Sequence, residues 1–95
     1  MQVIKEGIDK TLADRENTYG YYGHTAALSQ SIKEKLREHR KWLALTADKK
    51  EALEMIAHKM ARIMEGDPAY RDNWHDIAGY ATLVERTLPK TKEGK

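Results

Sequence analysis

The sequence predicts an all-α protein on three observations. Apolar residues recur every three or four positions through most of the 95 residues, which is the period of a helix. No segment alternates apolar and polar residues as a half-buried strand does. Glycine and proline cluster at a few sites, where they separate the periodic segments. We therefore expect a compact, oligomeric bundle of three main helices preceded by a short N-terminal helix.

The first half of the chain contains two of these segments. Ile4, Ile8 and Leu12 repeat every four residues and predict an opening helix over residues 3–14. Residues 17–23 combine two glycines with three tyrosines, a composition typical of a turn. The periodicity that follows predicts a long helix over residues 25–45.

The second half contains the other two helices. Asp48 followed by Glu51 resembles a capping box and predicts the start of the third helix, which Gly66 and Pro68 end. The last helix is expected to begin with Asp72 as N-cap and to continue to residue 88. Helical spacing predicts the core-facing side chains as Leu28, Ile32, Leu36, Trp42 and Leu43, then Leu53, Ile56, Met60, Ile63 and Met64, then Trp74, Ile77, Ala78, Ala81, Val84 and Leu88.

Length and composition indicate a single domain, residues 1–89, followed by a flexible polar tail, residues 90–95. A chain this short buries only about two-thirds of its unfolded surface, so its thin core favours self-association. The lack of cysteine excludes disulfides and thiolate sites and agrees with a cytoplasmic protein. No apolar run approaches the ~20 residues of a membrane span. We therefore expect no membrane as partner. The 17 basic and 15 acidic residues are interspersed, so we do not expect a nucleic acid as partner either.

Polar side chains with chemical potential lie in the last two helices. Asn73, Asp76 and Tyr80 form a stripe beside the predicted apolar face of the last helix, where a carboxylate can bind a metal, a basic side chain or a ligand. Lys59 and Arg62 lie at the margin of the third helix's apolar face. Because the two helices are joined by a short connection, they are expected to pair in antiparallel fashion, bringing Lys59 and Arg62 near Asp76. Gly79 predicts a close helix crossing or ligand approach.

Three segments in this order, RENTYG (15–20), KMARI (59–63) and DNWHDIAGYA (72–81), carry a family resemblance. The chain resembles small, mostly phage-encoded, uncharacterised domains, which are similar to the nucleotide modification-associated domain and, more remotely, to MazG-like all-α NTP pyrophosphatases. The resemblance implies an all-helical fold, commonly dimeric, with nucleotides as ligands. If the protein is phage-encoded, its site of action is the cytoplasm of the host cell.

The chain departs from the MazG-like pattern in its carboxylates. Those enzymes hold Mg²⁺ with clustered acidic side chains, because this ion prefers hard oxygen ligands. The third helix offers Lys59 and Arg62 at the corresponding place, and these suit direct phosphate binding. Only Asp72 and Asp76 remain as candidate Mg²⁺ ligands and catalytic residues.

Three hypotheses follow. The first is a nucleotide-binding protein without hydrolysis or cofactor, with Lys59 and Arg62 on phosphate, Tyr19 stacking on the base, and Asn73, Asp76 or Tyr80 in polar recognition. The second is a divergent Mg²⁺-dependent pyrophosphohydrolase using Asp72 and Asp76. The third is a helical interaction module that binds a host protein through the long charged helix. We expect the first.

Overall fold

The computed structural model describes residues 2–90, with side chains from residue 7 onward. Four α-helices follow one another: α1, Gln2–Tyr19; α2, Tyr22–Glu38; α3, Ala47–Glu65; and α4, Arg71–Glu85. A 3₁₀ turn, Trp42–Ala44, lies between α2 and α3. Residues 2–90 contain no strand, so the predicted all-α class is confirmed. Residues 91–95 of the predicted tail lie outside the described residues.

Helix α3 is the centre of the structure. It packs against α2 and against α4, while α1 contacts α2 and α3 less extensively. The molecule is elongated, with extents of 61 × 27 × 23 Å, so the expectation of a compact bundle is wrong. The reason is that α1 packs against the other helices near its C-terminal end, so Ile8 and Leu12 remain exposed. None of the helices in residues 2–90 combines the length and apolar character that crossing a membrane requires.

Helix α1 is longer than the short helix that was predicted. It continues past Asp14 to Tyr19, because its backbone hydrogen bonds run on until Gly20 N–H donates to Glu16 O at 2.9 Å. Gly20 then adopts φ +92°, a left-handed conformation that glycine takes without strain, and this ends the helix. The turn is therefore confined to Gly20 and Tyr21, and Tyr22 already begins α2.

The predicted boundaries around α3 also need correction. Helix α2 ends at Glu38, not at residue 45, because His39 turns to extended backbone and its N–H donates to Leu36 O. The following 3₁₀ turn buries Trp42, as predicted, but leaves Leu43 exposed at 85%. Helix α3 begins at Ala47 with Thr46 as N-cap, and Asp48 accepts a hydrogen bond from the Thr46 hydroxyl and forms no capping box.

Helix α4 also begins earlier than expected. Tyr70 is its N-cap, Asp72 lies in the first turn, and the helix ends at Glu85. Its innermost side chain is Asn73, exposed at only 1%. An added Cβ at Gly79 would meet nothing within 4 Å, so the predicted close crossing at this glycine is wrong.

The hydrophobic core is small and rich in alanine. Its buried apolar members are Trp42, Ala52, Ala57, Ala61 and Ile63. Alanines on α3 allow neighbouring backbones to approach closely, and buried Thr25 and Ser29 face this region from α2. Large residues that were predicted to face the core are exposed instead: Leu53, Met60, Met64, Trp74 and Leu88. Their periodicity defines real helix faces, but no helix of the described chain covers them.

Candidate functional site

Lys59 and Asp76 form the ion pair that the antiparallel pairing of α3 and α4 predicted. Lys59 Nζ lies 2.9 Å from Asp76 Oδ2, and the two side chains are 12% and 42% exposed. The hydrogen bond from Lys59 holds the pKa of Asp76 below its ordinary value of 3.8, against a smaller opposing effect of burial. Lys59 is therefore committed to a carboxylate, which weakens its predicted role as a phosphate ligand.

This pair predicts an asymmetric response to substitution. Asp76→Ala leaves the ammonium of the largely buried Lys59 without a counter-ion, whereas Lys59→Met keeps an apolar stem and leaves a carboxylate that water can reach. We expect Asp76→Ala to lower the melting temperature at pH 7 more than Lys59→Met does, as measured by circular dichroism. Equal losses of melting temperature in the two variants would contradict the view that buried Lys59 depends on Asp76 as its counter-ion.

The stability that the Lys59–Asp76 pair contributes depends on pH in the acid range. Because the folded-state pKa of Asp76 is lowered, the contribution is fully present above pH 3.8 and is lost as the pH falls through the lowered value. The melting-temperature difference between the wild-type protein and Asp76→Asn should therefore shrink only below about pH 4. A difference that already disappears at pH 6 would show that the lysine does not act on the carboxylate.

The ring of Tyr19, at the end of α1, contacts the guanidinium groups of two arginines. Arg62 Cζ of α3 lies 4.5 Å from the centroid of the Tyr19 ring, and Arg15 Cζ of α1 lies 4.9 Å from it. Both distances are within the range of cation–π attraction. Among the described residues neither guanidinium lies within 4.0 Å of a carboxylate. Two arginines thus contact one ring, and neither forms an ion pair with a carboxylate of the described side chains.

These groups line a cleft of about 300 Å³ between α1, α2 and α3, which we call the arginine cleft. Its wall also includes Leu12, Glu16, Tyr22, Thr25 and His58. Tyr22 is exposed at 79%, so its ring is available to a ligand. The lining is mostly apolar with a few convergent polar groups, a composition typical of small-molecule sites.

His58 contributes a neutral imidazole to this cleft. Its Nδ1 lies 3.5 Å from the hydroxyl of buried Ser29. Burial lowers the pKa of His58 below its ordinary value, and the positive charges of Arg62, Lys33 and Lys59 lower it further. The lowered pKa favours the uncharged ring at pH 7, which can make a hydrogen bond with an incoming group.

A second contact network joins Tyr19 to the start of α4. The rings of Tyr19 and Tyr70 meet edge to face with centroids 5.4 Å apart, and their hydroxyls are 3.5 Å apart. Tyr70 also donates to Asp72 Oδ2 at 3.2 Å. The hydrogen bond with Tyr19, followed by the bond and charge of Asp72, raises the pKa of Tyr70 to about 12. Asp72 therefore fixes a tyrosine that supports Tyr19.

The remaining predicted site residues lie elsewhere. Asn73 is inside the structure, and its Nδ2 has no hydrogen-bond partner among the described residues. Asp76 and Tyr80 line a separate shallow depression on α4 with His75, Gly79 and Leu83. The predicted set thus divides into three groups, and Tyr19 with Arg62 is the pair that the arginine cleft contains.

Sequence reasoning considered Tyr22 and His58 separately and did not predict that they meet Arg15 in one cleft. Arg15 precedes Tyr19 by four residues, the spacing that places side chains on the same face of a helix. Continuing α1 through residue 19 would have paired them. Tyr22 and His58 meet them only through the packing of α2 and α3, for which the sequence carries no local signal.

The carboxylates of the described side chains are not clustered in a way that suits Mg²⁺. Among the side chains of residues 7–90, no group of three or more His, Asp or Glu is arranged to hold a metal ion. Asp72 is bonded to Tyr70, and Asp76 to Lys59. The two carboxylates assigned to the enzymatic alternative are therefore engaged in different contacts.

Comparison with known proteins gives one match. No curated protein and no solved structure is significantly similar to this chain. A family described as a domain of unknown function, DUF6378, matches residues 2–88. The comparisons found no significant similarity to the nucleotide modification-associated domain or to MazG-like enzymes, so those two resemblances stay predictions. Because the match spans nearly the whole chain, this protein belongs to the DUF6378 family.

Proposed function

We propose that this protein binds a phosphate-bearing nucleotide in the arginine cleft without hydrolysing it. The observation that carries the proposal is the pair Arg15 and Arg62, held at one tyrosine ring without a carboxylate partner among the described residues. Each guanidinium presents several N–H donors in a planar fork that matches phosphate oxygens. The proposal agrees with the nucleotide ligands implied by the RENTYG, KMARI and DNWHDIAGYA segments.

The cleft suggests how the two ends of a nucleotide would be recognised. Arg62 and Arg15 would bind the phosphate, replacing the predicted pair of Lys59 and Arg62. Exposed Tyr22 would stack on the base, a role first assigned to Tyr19, whose ring instead contacts the arginines. Glu16 lies in the same wall and can accept a hydrogen bond from a base N–H group.

A binding titration tests this assignment. Nucleoside mono- and triphosphates and inorganic pyrophosphate would be titrated into the protein by calorimetry, with thermal shift as a second readout. Loss of a charge-assisted hydrogen bond in Arg62→Ala should weaken binding by roughly 1.5–3 kcal/mol, about ten- to a hundredfold in Kd. Raising the salt concentration should weaken wild-type binding as well.

Arg40→Ala is the matched control, because Arg40 is exposed and lies outside the cleft. It should bind as the wild-type protein does. The proposal fails if no nucleotide binds, or if Arg62→Ala and Arg40→Ala have the same affinity. A large loss of stability in Arg62→Ala with unchanged affinity would assign this arginine a structural role.

Incubation with Mg²⁺ or Mn²⁺ and a panel of nucleoside triphosphates separates the binder from the enzymatic alternative. We expect no release of pyrophosphate, because Asp72 and Asp76 are engaged with Tyr70 and Lys59. Pyrophosphate release that Asp76→Ala abolishes in a folded protein would favour the divergent pyrophosphohydrolase instead.

The proposal includes a cytoplasmic setting and a homo-oligomer. A cysteine-free chain is compatible with a reducing compartment. The small core leaves large apolar side chains uncovered, and self-association would bury them.

A further inference from the structure

One side of the α3–α4 pair exposes large apolar side chains along both helices. We call this surface the open face and define it by Leu53, Met60 and Met64 of α3 with Trp74, Ala81 and Leu88 of the α4 region. Leu53 and Met60 are seven residues apart, as are Trp74 and Ala81, so each pair lies on one stripe of its helix. Met64 is 74% exposed and Trp74 is 55% exposed.

The two stripes lie on the same side of the molecule. Leu53 of α3, Ala81 of α4 and Leu88 line a common groove of about 380 Å³. Around this groove the open face is therefore an apolar surface shared by both helices. Scattered exposed leucines need no explanation, but an apolar groove between two helices, flanked by further exposed apolar side chains, indicates an interface.

The open face is separate from the arginine cleft. Met60 and Met64 lie two residues from the cleft residues His58 and Arg62, and two residues correspond to about 200° around a helix. The two surfaces are thus on opposite sides of α3. An inference about the open face rests on the proposed function only for the homo-oligomer. Nucleotide binding in the arginine cleft and pairing of the open faces can each fail without the other.

The exposed area is sufficient for a stable dimer. The accessible surface is 7687 Å² for a mass of 10.9 kDa. A compact protein of this mass exposes about 5,600 Å², so the excess is roughly 2,100 Å². A standard interface buries about 800 Å² of each partner, less than half of this excess. The projecting α1 contributes to this excess.

We propose that the open face packs against the same face of a second copy of this chain across a two-fold axis. Two α3–α4 pairs would then enclose a four-helix core containing the side chains that periodicity assigned to the interior. The groove carries one charge of each sign, Lys49 on α3 and Glu85 on α4. In a two-fold contact each residue meets its counterpart reciprocally, so this mixed pair suits a second copy, whereas charges of a single sign would repel it.

Sedimentation of the whole protein tests the proposal. We expect a species of twice the monomer mass at micromolar concentration. Ala81→Glu should raise the dimer dissociation constant at least about tenfold, because it forces a carboxylate into an apolar interface. Leu43→Glu is the control, since Leu43 is exposed and lies outside the open face. It should dimerise as the wild-type protein does, and circular dichroism should report an unchanged helical fold in both variants.

A milder variant provides a second readout that does not depend on breaking the dimer. The chain has no cysteine, so Ala81→Cys and Leu43→Cys each introduce a unique thiol. Ala81→Cys should react slowly with a maleimide at high protein concentration and faster on dilution, while Leu43→Cys should react rapidly throughout. A protein that remains a folded monomer at 100 micromolar overturns the proposal. For such a monomer, rapid labelling of Ala81→Cys would show that the open face is uncovered. Slow labelling would show that another part of the same chain covers it.

Discussion

Replacing Gly66 with alanine is expected to lower the free energy of unfolding by roughly 3 kcal/mol or more, because the new Cβ has no room. It would lie 2.5 Å from the Tyr19 carbonyl carbon and closer still to Thr18 O, and both are backbone atoms of α1. Relieving the overlap requires moving the end of α1 away from the α3–α4 connection. That movement would break the hydrogen bond from Asp67 N–H to Thr18 O, which is 2.9 Å long.

Gly20 completes this contact from the other side. A Cβ there would lie 2.6 Å from Glu65 Cβ, and the residue also needs φ +92°. Gly20→Ala should therefore be destabilising as well, both by overlap and by left-handed strain. Because Tyr19 lies between these two contacts in the chain, Gly66→Ala should also disturb the arginine cleft.

Gly79→Ala is the matched control for Gly66→Ala. Gly79 lies within α4, and an added Cβ meets nothing within 4 Å. The substitution should raise stability by about 0.5–1 kcal/mol, because alanine is the better helix former. Chemical denaturation of the three glycine variants would measure these differences. Equal effects at Gly66 and Gly79 would contradict the close approach of α1 to the end of α3.

Asn73→Asp should be the second severe substitution. It keeps the shape of a side chain that is 1% exposed but introduces a carboxylate into the interior of the structure. An unpaired buried charge costs roughly 3 kcal/mol or more. Burial raises the pKa of the introduced carboxyl, so the loss should be largest at pH 7 and should diminish as the pH falls toward about 4, where the group becomes neutral.

Asn73→Leu separates the charge from the packing. The Asn73 Nδ2 has no hydrogen-bond partner among the described residues, so replacing the amide with an apolar group removes an unsatisfied donor. Denaturation should give a stability equal to or above that of the wild-type protein. If Asn73→Leu is as unstable as Asn73→Asp, the amide makes a hydrogen bond that the native fold requires.

The candidate site was predicted in part, and the residues explain the division. Lys59 and Asp76 were expected to approach each other because a short connection makes α3 and α4 antiparallel neighbours. That reasoning needs only local information. Arg62 was expected near the same carboxylate, but its guanidinium contacts the Tyr19 ring. The close contacts at Gly20 and Gly66 hold the end of α1, and with it Tyr19, against the end of α3. The sequence carries no local trace of a meeting between residues more than forty positions apart.

The ends of helices show the same limit. Gly66 and Pro68 mark the end of α3 by their own backbone preferences, and the structure confirms it. The end of α1 was predicted too early because residues 15–19 lack an apolar repeat. Their helix is instead stabilised through tertiary contacts of Tyr19 with Arg62 and Tyr70.

The sequence alone determined the helical class, most of the chain breaks and the apolar stripe of each helix, because period and backbone preference are local properties. Only the tertiary structure decided which stripes are covered. Neighbouring helices bury Ala57 and Ala61, whereas Met60 and Met64 of the same helix remain exposed. Burial depends on which helices meet, and this is a property of the whole chain that no single segment encodes.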